Sequence, residues 1–507
     1  MERSSIAEVF RRGAELYGSR VAVVSDGTEH SYRDVDDAST RLANALLASG
    51  VQAGDRVATL LYNGVLHLTV FVAAAKAGFV VVPVNRRLSP VEVRKVLDNA
   101  EPSVLIHDAA LTELVTVASE GMDLRLVTTG PATGDSVEAL LSSGSSDDPG
   151  GGGAGEDLQS IYYTSGTTGV PKGVARSHAS NMYQAWGYLA MMPAEPSDVF
   201  LYCFPMTSAA FHGLAIPAWM VGARVVFHRE FHARLVLESL ADDEVTHTAL
   251  APTMWEMLMA EPDFLDFKPA RLRYAMWGGS PIRQGTLDRL AEWLPVPTGG
   301  VYGLTEATCA TACVGEHARI APSSCGVPSA GTIVRIVDAD RRPVPAGELG
   351  QVELRTLVAA EGYYNNPALT ADNFIDGWFL TGDVGRLDEG GRLHVVDRVK
   401  DMIISGGENI YPAEIENVLT GLPGVQEVCV VGVPDQKWGE TVCVFIAPRP
   451  GVEVTVEDVM DLCRQQLASY KRPRHVYFLP ELPKNSMGKF VKAGLVDQWR
   501  QQTADLS

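Results

Sequence analysis

Ten consecutive residues, Thr164-Ser165-Gly166-Thr167-Thr168-Gly169-Val170-Pro171-Lys172-Gly173, bring together four hydroxyls, three glycines and one lysine. That mixture suits an anion. Glycines let a backbone turn sharply and carry its N–H groups up to a phosphate. The hydroxyls add donors, and Lys172 adds a compact positive charge. A Gly/Ser/Thr cluster is by default a flexible polar loop, but the Pro-Lys-Gly ending is unusual for a linker. The apolar run from Leu158 to Tyr163 reads as a strand leading into the loop. The Walker phosphate loop is a different pattern, because Pro171 stands where it needs the glycine before its lysine.

Other segments place chemistry-bearing side chains close together. Val301-Tyr302-Gly303-Leu304-Thr305-Glu306 sets an aromatic, a glycine and a Thr-Glu pair in a row, which also reads as a strand end with a helix cap. Trp277-Gly278-Gly279-Ser280-Pro281 reads locally as a β-turn, and Gly377 to Asp383 as a strand closing on an aspartate. Val396-Asp397-Arg398-Val399-Lys400-Asp401 is a charge run of the kind that usually faces solvent. Ser405-Gly406-Gly407 reads as a tight turn before a helix whose first turn suits Pro412. Leu482 to Lys489 reads as a basic surface tail.

In their order along the chain these segments resemble the adenylate-forming superfamily, which includes acyl-CoA ligases, nonribosomal adenylation domains and firefly luciferase. The likeness is greatest to the acyl-CoA ligases. It implies an α/β protein: a large N-terminal domain of mixed, mostly parallel sheets with helices over residues 1–399, and a small mobile α+β domain over 400–507, hinged at Lys400. It implies ATP, Mg2+ and coenzyme A as cofactors. By resemblance, Thr164, Ser165, Gly166, Thr167, Thr168 and Lys172 cradle phosphates, while Gly279, Ser280, Pro281, Tyr302 and Gly303 line the nucleotide site, Tyr302 packing on adenine. Thr305 then meets the α-phosphate, Glu306 holds Mg2+, and Asp383 and Arg398 take the ribose hydroxyls. Lys489 bridges the acyl carboxylate and the α-phosphate. Ser405, Gly406, Gly407 and Lys471 serve coenzyme A, with Gly407 kept small for the pantetheine arm.

Those roles suit the side chains. Mg2+ takes one or two hard carboxylates plus phosphate oxygens, and an ionised carboxylate is a two-oxygen acceptor fit for two hydroxyls. Attack of a carboxylate on the α-phosphate of ATP gives an acyl-AMP, and a thiol then displaces AMP. The two steps need different groups beside one carbon, which a domain swing about Lys400 would supply.

The acyl pocket implied by the resemblance draws on Thr207, Ser208, His212, Trp277, Gly278 and Leu304. Many ligases of the family carry an aromatic and a histidine where this chain has Thr207 and Ser208, and His212 is displaced. The change points to a roomier wall. No aspartate matches the one that holds a substrate ammonium, and no arginine marks a dicarboxylate site. The reading is an ATP-dependent acyl-CoA ligase for a bulky apolar or aryl carboxylic acid. Alternatives are a ligase loading an acyl or peptidyl carrier protein, a non-catalytic nucleotide-binding relative and a luciferase-like oxygenase. A homodimer is also open.

The elements that must position these residues follow from the rest of the chain. At 507 residues, two or more domains are expected. A net charge of −20 makes nucleic acid a poor partner and leaves polyanions to local clusters. One such cluster is Lys471, Arg472, Arg474, Lys484 and Lys492, read as a cationic surface for the phosphates of ATP or coenzyme A. Seven scattered cysteines fit a reducing cytoplasm. Cys309, Cys313 and Cys325 lack the partners of a metal site and read as small buried residues. The N-terminus has no apolar signal core. Val65 to Val84 is interrupted by His67, Lys76, Gly78 and Pro83, and reads as a buried helix turning into a strand, so no stable membrane insertion is expected. Strands at 21–24, 56–61 and 79–83, separated by helical patterns, imply a largely parallel sheet. Ser142 to Glu156 is glycine- and serine-rich and reads as a mobile connector; its formal G-x-G-x-x-G lacks a preceding strand. After Lys400 the patterning predicts a helix at 412–419, strands near 427–431 and 441–445, a helix at 456–467, and a strand near 476–478 running into a basic tail.

Overall fold

A computed structural model describes residues 5–130, 135–164, 171–242, 244–280, 282–321, 324–405, 408–484 and 490–504. It divides into two compact units: residues 1–334, 354–380 and 391–393, and residues 335–353, 381–390 and 394–507. The cuts therefore fall at several points along the chain, and Lys400 lies inside the second unit in the 3-10 turn Val399–Asp401. Among the described residues no helix is long and apolar enough to cross a membrane.

The first unit holds two sheets. One has seven strands in the order 362–363, 172–177, 158–164, 80–83, 56–60, 104–107, 125–128. The five strands from 158–164 to 125–128 run parallel, and Lys172–Ser177 and Gly362–Tyr363 close that edge antiparallel. The central strands Val80–Pro83 and Val104–His107 are buried at every position, as expected of parallel strands covered on both faces. The second sheet has nine strands, parallel from Thr298–Leu304 across to Val21–Ser25 and antiparallel at both edges.

The helix Val65–Ala77 is apolar on every side and belongs to the main core with Phe10, Leu42, Phe71, Phe211 and Trp219. Its one cation, Lys76, is buried and paired with Asp36 Oδ1 at 2.6 Å, with Thr40 Oγ1 at 2.7 Å. The helix Tyr32–Ala48 starts at Ser31, whose hydroxyl takes the Asp34 amide while the Asp34 carboxylate takes the Ser31 amide.

The glycine-rich stretch after the Val137–Ser143 helix corrects the expectation of a mobile connector. Asn44 Nδ2 donates to the carbonyls of Ser145 and Asp147, Arg41 to Gly144, and the Gly153 amide to Ala75. A Cβ at Gly152 would lie 3.0 Å from the Ala75 carbonyl oxygen, and one at Gly153 2.6 Å from His178 Nε2. Gly152 and Gly153 leave no room for a side chain because the chain there lies against Ala75 and His178.

The second unit contains a sheet ordered 408–410, 403–405, 439–448, 425–435, with His475–Phe478 beside 439–448. Its strands Val425–Asp435 and Gly439–Pro448 alternate their side chains between two cores. Val428, Val430, Val444 and Ile446 meet the helices Pro412–Leu419 and Val456–Gln466. Cys429, Val431, Cys443 and Phe445 meet Leu495 and Trp499 of a final helix, Lys492–Ala504, where the sequence reading had only a basic tail. In residues 335–353, the buried Glu353 carboxylate is held by Arg335 Nε at 2.8 Å and Arg341 Nε at 2.7 Å.

Candidate active site

Within the first unit Tyr302, Gly303, Leu304, Thr305 and Glu306 stand together on one hairpin. Strands Thr298–Leu304 and Ala307–Cys313 pair antiparallel across a turn made of Thr305 and Glu306, so the Thr-Glu pair closes a hairpin instead of capping a helix. The pairing shifts register between Tyr302 and Leu304. Gly303 sits at that irregularity: a Cβ there would lie 2.6 Å from the Cys309 nitrogen and 2.9 Å from the Ala307 oxygen. Across from it Cys309 takes φ 54°, a left-handed conformation unusual for a residue with a side chain. Burial pushes the Cys309 thiol up to about 12, so it stays protonated.

Three contacts fix the turn. The Ala360 amide donates to the Glu306 carbonyl (2.7 Å), Arg176 Nη1 donates to the Thr305 carbonyl (3.0 Å), and the Tyr363 hydroxyl donates to Glu306 Oε1 (2.8 Å). Burial, then the neighbouring Glu306 carboxylate, hold the Tyr363 phenol well above its ordinary range, so it remains a donor. Lys172 Nζ lies 5.6 Å from the centre of the Tyr363 ring. Thr164 ends the strand Leu158–Thr164 and pairs with Lys172, the first residue of Lys172–Ser177. Ser165, Gly166, Thr167 and Thr168 lie outside the described residues.

Gly278 ends the strand Tyr274–Gly278, close enough to Val301 that a Cβ would meet its carbonyl oxygen at 3.1 Å; Gly279 follows at φ 85°, then Ser280. Pro281 is outside the described residues. Trp277 shares a face of this strand with Ala275 and packs among Trp255, Ile282 and Leu287. Met276 is on the opposite face, with Tyr188, Met192 and Cys309. Thr207 and Ser208 are half-buried in the turn before the short helix Ala210–Leu214, and Ser208 Oγ accepts from the Ala210 amide. Asn63 anchors this turn, accepting from the Met206 amide and donating to the carbonyls of Phe204 and His228. His212 is fully buried, its Nδ1 3.1 Å from the Tyr162 hydroxyl, and burial holds it well below its ordinary value, hence neutral. It is a core residue and does not share the half-exposed surroundings of Thr207 and Ser208.

Within the second unit, Asp383 lies inside the strand Trp378–Leu387, only 3% exposed. Its Oδ1 is 2.9 Å from Arg398 Nε, and its amide donates to Thr381 Oγ1, which in turn donates to the Val352 carbonyl. Asp397 takes the amides of Arg398 and Ala413, tying this strand end to the helix Pro412–Leu419; burial nonetheless raises its carboxyl above the usual value. Ser405 pairs with Glu408. Gly406, Gly407 and Lys489 lie outside the described residues.

The expected cationic surface is largely compensated by its own neighbours. Lys471 Nζ sits 2.7 Å from both carboxylate oxygens of Glu414, Lys484 pairs with Glu427, and Lys492 with Asp401 at 3.5 Å. Arg472 donates to the carbonyls of Leu467 and Arg464. Among the described residues no cluster of three or more His, Cys, Asp or Glu side chains could hold a metal ion. Glu306 offers a single carboxylate, the donor set of an Mg2+ that takes its remaining ligands from phosphate and water.

Arg176, Tyr363 and Asn63 were not legible as site residues. Arg176 had a faint signal, a lone arginine after the small apolar run Gly173-Val174-Ala175. Tyr363 and Asn63 had none, since each acts on a segment distant in sequence.

The chain as a whole is similar to known proteins. The AMP-binding enzyme family matches residues 10–364, and the AMP-binding enzyme C-terminal domain matches 414–489. A feruloyl-CoA synthase of an Amycolatopsis species is 36% identical over 486 residues, 95% of this chain and 96% of that protein. The fatty acid–[acyl-carrier-protein] ligase ScoC of Streptomyces coeruleorubidus is 34% identical over 498 residues, 94% of this chain and 93% of that one. Among solved structures, ATP-bound MatB from Rhodopseudomonas palustris superposes with a TM-score of 0.89 at 28% identity, covering 98% of this chain and 99% of that chain.

Proposed function

The chain belongs to the AMP-binding enzyme family, and from that membership we propose its chemistry residue by residue. It is an AMP-forming acyl-CoA ligase that uses ATP and coenzyme A. In the first half-reaction a substrate carboxylate oxygen bonds to the α-phosphorus of ATP as the bond from that phosphorus to the pyrophosphate oxygen breaks. In the second, the thiol sulfur of coenzyme A bonds to the acyl carbon, AMP leaves with the electron pair, and the thiol proton passes to solvent.

The Thr305–Glu306 turn supports this assignment most directly: a hydroxyl and a carboxylate are presented side by side on a hairpin fixed by Arg176 and Tyr363. In our reading Thr305 donates to the α-phosphate, Tyr302 packs on adenine with Gly303, Gly279, Ser280 and Pro281 around it, and Lys172 acts with the loop from Thr164 to Thr168 on the phosphates. Glu306 would hold Mg2+, which when bound neutralises the departing pyrophosphate. Asp383 and Arg398 take the ribose, and Lys489 neutralises the attacking carboxylate and α-phosphate. Lys400 is the hinge between the half-reactions, and Ser405, Gly406, Gly407 and Lys471 serve the pantetheine arm. Lys471 would have to leave Glu414 to do so.

Asp383→Asn keeps the shape of the side chain and removes its charge. Hydrogen bonds to charged groups contribute about 1.5–3 kcal/mol. The KM for ATP should therefore rise about ten- to hundredfold while the KM for the acid holds, as initial rates at varied ATP will show.

The acid is proposed to be bulky and apolar or aryl. Thr207, Ser208, Trp277, Gly278 and Leu304 would line the acyl pocket, and small residues replace the usual aromatic and histidine pair. A closely similar protein is named for feruloyl-CoA synthesis. A panel of ferulate, indole-3-acetate, octanoate, palmitate, malonate and phenylalanine, scored by pyrophosphate and AMP release with and without coenzyme A, tests this. The aryl and fatty acids should exceed malonate and phenylalanine by at least about tenfold in kcat/KM; malonate or the amino acid as best substrate refutes it.

A second reading, transfer to the pantetheine of a carrier protein, is favoured by the likeness to ScoC. Salt-sensitive loading of a carrier without turnover of coenzyme A would establish it. We place the enzyme in the cytoplasm, in keeping with seven free cysteines.

A further inference from the structure

The strand Lys172–Ser177 leaves the candidate phosphate loop and turns one face toward the hairpin. Lys172, Val174 and Arg176 alternate onto that face. Lys172 meets the ring of Tyr363, Val174 packs with Tyr363 and Ala360, and Arg176 reaches the turn. Arg176 is 0% exposed, and among the described residues the five N–H groups of its guanidinium reach six acceptors, all uncharged, one donor being shared. Two are carbonyls of separate segments, Thr305 at 3.0 Å and Val358 at 3.2 Å. Asn181 Oδ1 at 2.7 Å, Gln184 Oε1 at 3.2 Å and the Ser180 carbonyl belong to the helix His178–Met191. Thr308 Oγ1 lies just past the turn.

Among the described residues the guanidinium has no ion-pair partner; a buried cation so placed is expensive to keep, and an apolar side chain would fill the same volume more cheaply. The guanidinium does what an apolar group cannot: its planar fork joins three segments at fixed angles. Burial draws its pKa down to about 10, which leaves it charged at neutral pH, and the nearby Glu306 carboxylate favours that charged form.

We propose that Arg176 is a positioning residue for adenylate formation, holding the Thr305 carbonyl so that the Thr305–Glu306 turn stands preset for the triphosphate. The inference rests on the reading of Thr305 and Glu306 as phosphate- and metal-facing groups. It also ties Lys172 to the turn, because one strand carries both Lys172 and Arg176.

The test compares full-length wild type with Arg176→Met and Arg176→Lys by calorimetry, using two probes: adenosine, and α,β-methylene-ATP with Mg2+. No acid is needed. Arg176→Met should bind the methylene analogue at least about tenfold more weakly, the loss typical of one hydrogen bond to a charged donor, with adenosine affinity held within about twofold. Arg176→Lys should recover part of the loss. Parallel weakening of both probes would reveal a general structural defect and overturn the proposal, as would unchanged analogue binding. If Arg176→Met does not fold, Arg176→Lys, which keeps charge and most volume, carries the same comparison alone. Wild type that binds neither probe refutes the assignment of the turn itself, whereas tight wild-type binding unaffected by either variant refutes only the role of Arg176.

Discussion

Glu306→Ala is expected to slow pyrophosphate release about a hundred- to a thousandfold, equivalent to ~3–4 kcal/mol of transition-state stabilisation. The carboxylate is the one hard anionic donor on the turn, and in the proposed mechanism its loss would remove the protein's own hold on the Mg2+ that would neutralise pyrophosphate. It also strips Tyr363 of its acceptor and Arg176 of a nearby negative charge. Thioester formation from supplied acyl-adenylate, where pyrophosphate has already gone, should fall far less. Glu306→Asp should lie between, because it keeps the charge but shortens the reach toward Tyr363. Pyrophosphate release measured over a range of Mg2+ concentrations decides the matter. A Glu306→Ala enzyme with the wild-type rate and metal dependence would remove this residue from the mechanism.

Lys489→Ala should have the other large effect, confined to the same half-reaction. When a carboxylate attacks an α-phosphate, two anions are driven together, and a preset ammonium is worth about 2.7–4 kcal/mol, a factor of roughly a hundred to a thousand, if it acts like other preorganised donors at developing charge. Once the mixed anhydride exists, a thiol attacks a neutral carbon and that help is no longer required. Adenylate formation should therefore nearly vanish while supplied acyl-adenylate is still converted to thioester. Equal loss of both activities would contradict the role. Lys489→Arg should not rescue fully, since a broad planar fork replaces a compact point charge.

Local chemistry was the most legible part of this chain. Pro412 announced the start of a helix, because a first-turn proline acts over a few residues. The segment Tyr302 to Glu306 stood out for the same reason: its residues are contiguous, and the strands Thr298–Leu304 and Ala307–Cys313 carry them on one hairpin. What the sequence hid is contact between distant segments. Arg176 meets Thr305 across 129 positions and Tyr363 meets Glu306 across 57, and nothing near either residue predicts its partner. Apart from 377–383, the short strands between Thr332 and Arg398 went unread, since polar turns such as Asp338 to Arg342 interrupt their pattern. The last helix was masked by the lysines before it, although Leu495, Val496 and Trp499 have the spacing of one helical face.

The glycine tract from Gly150 to Gly155 has an engineering consequence. Composition alone would mark it as the natural place to splice in a tag or a second domain. Around Asp147 to Gly150 the backbone bends at the surface, and extra residues there would simply enlarge the bend. At Gly152 and Gly153 the chain acts as a shim whose thickness is set by the Ala75 carbonyl on one side and the His178 ring on the other. Material added at that point would wedge apart the helix Val65–Ala77 and the start of His178–Met191, only a few residues from the strand that delivers Thr164.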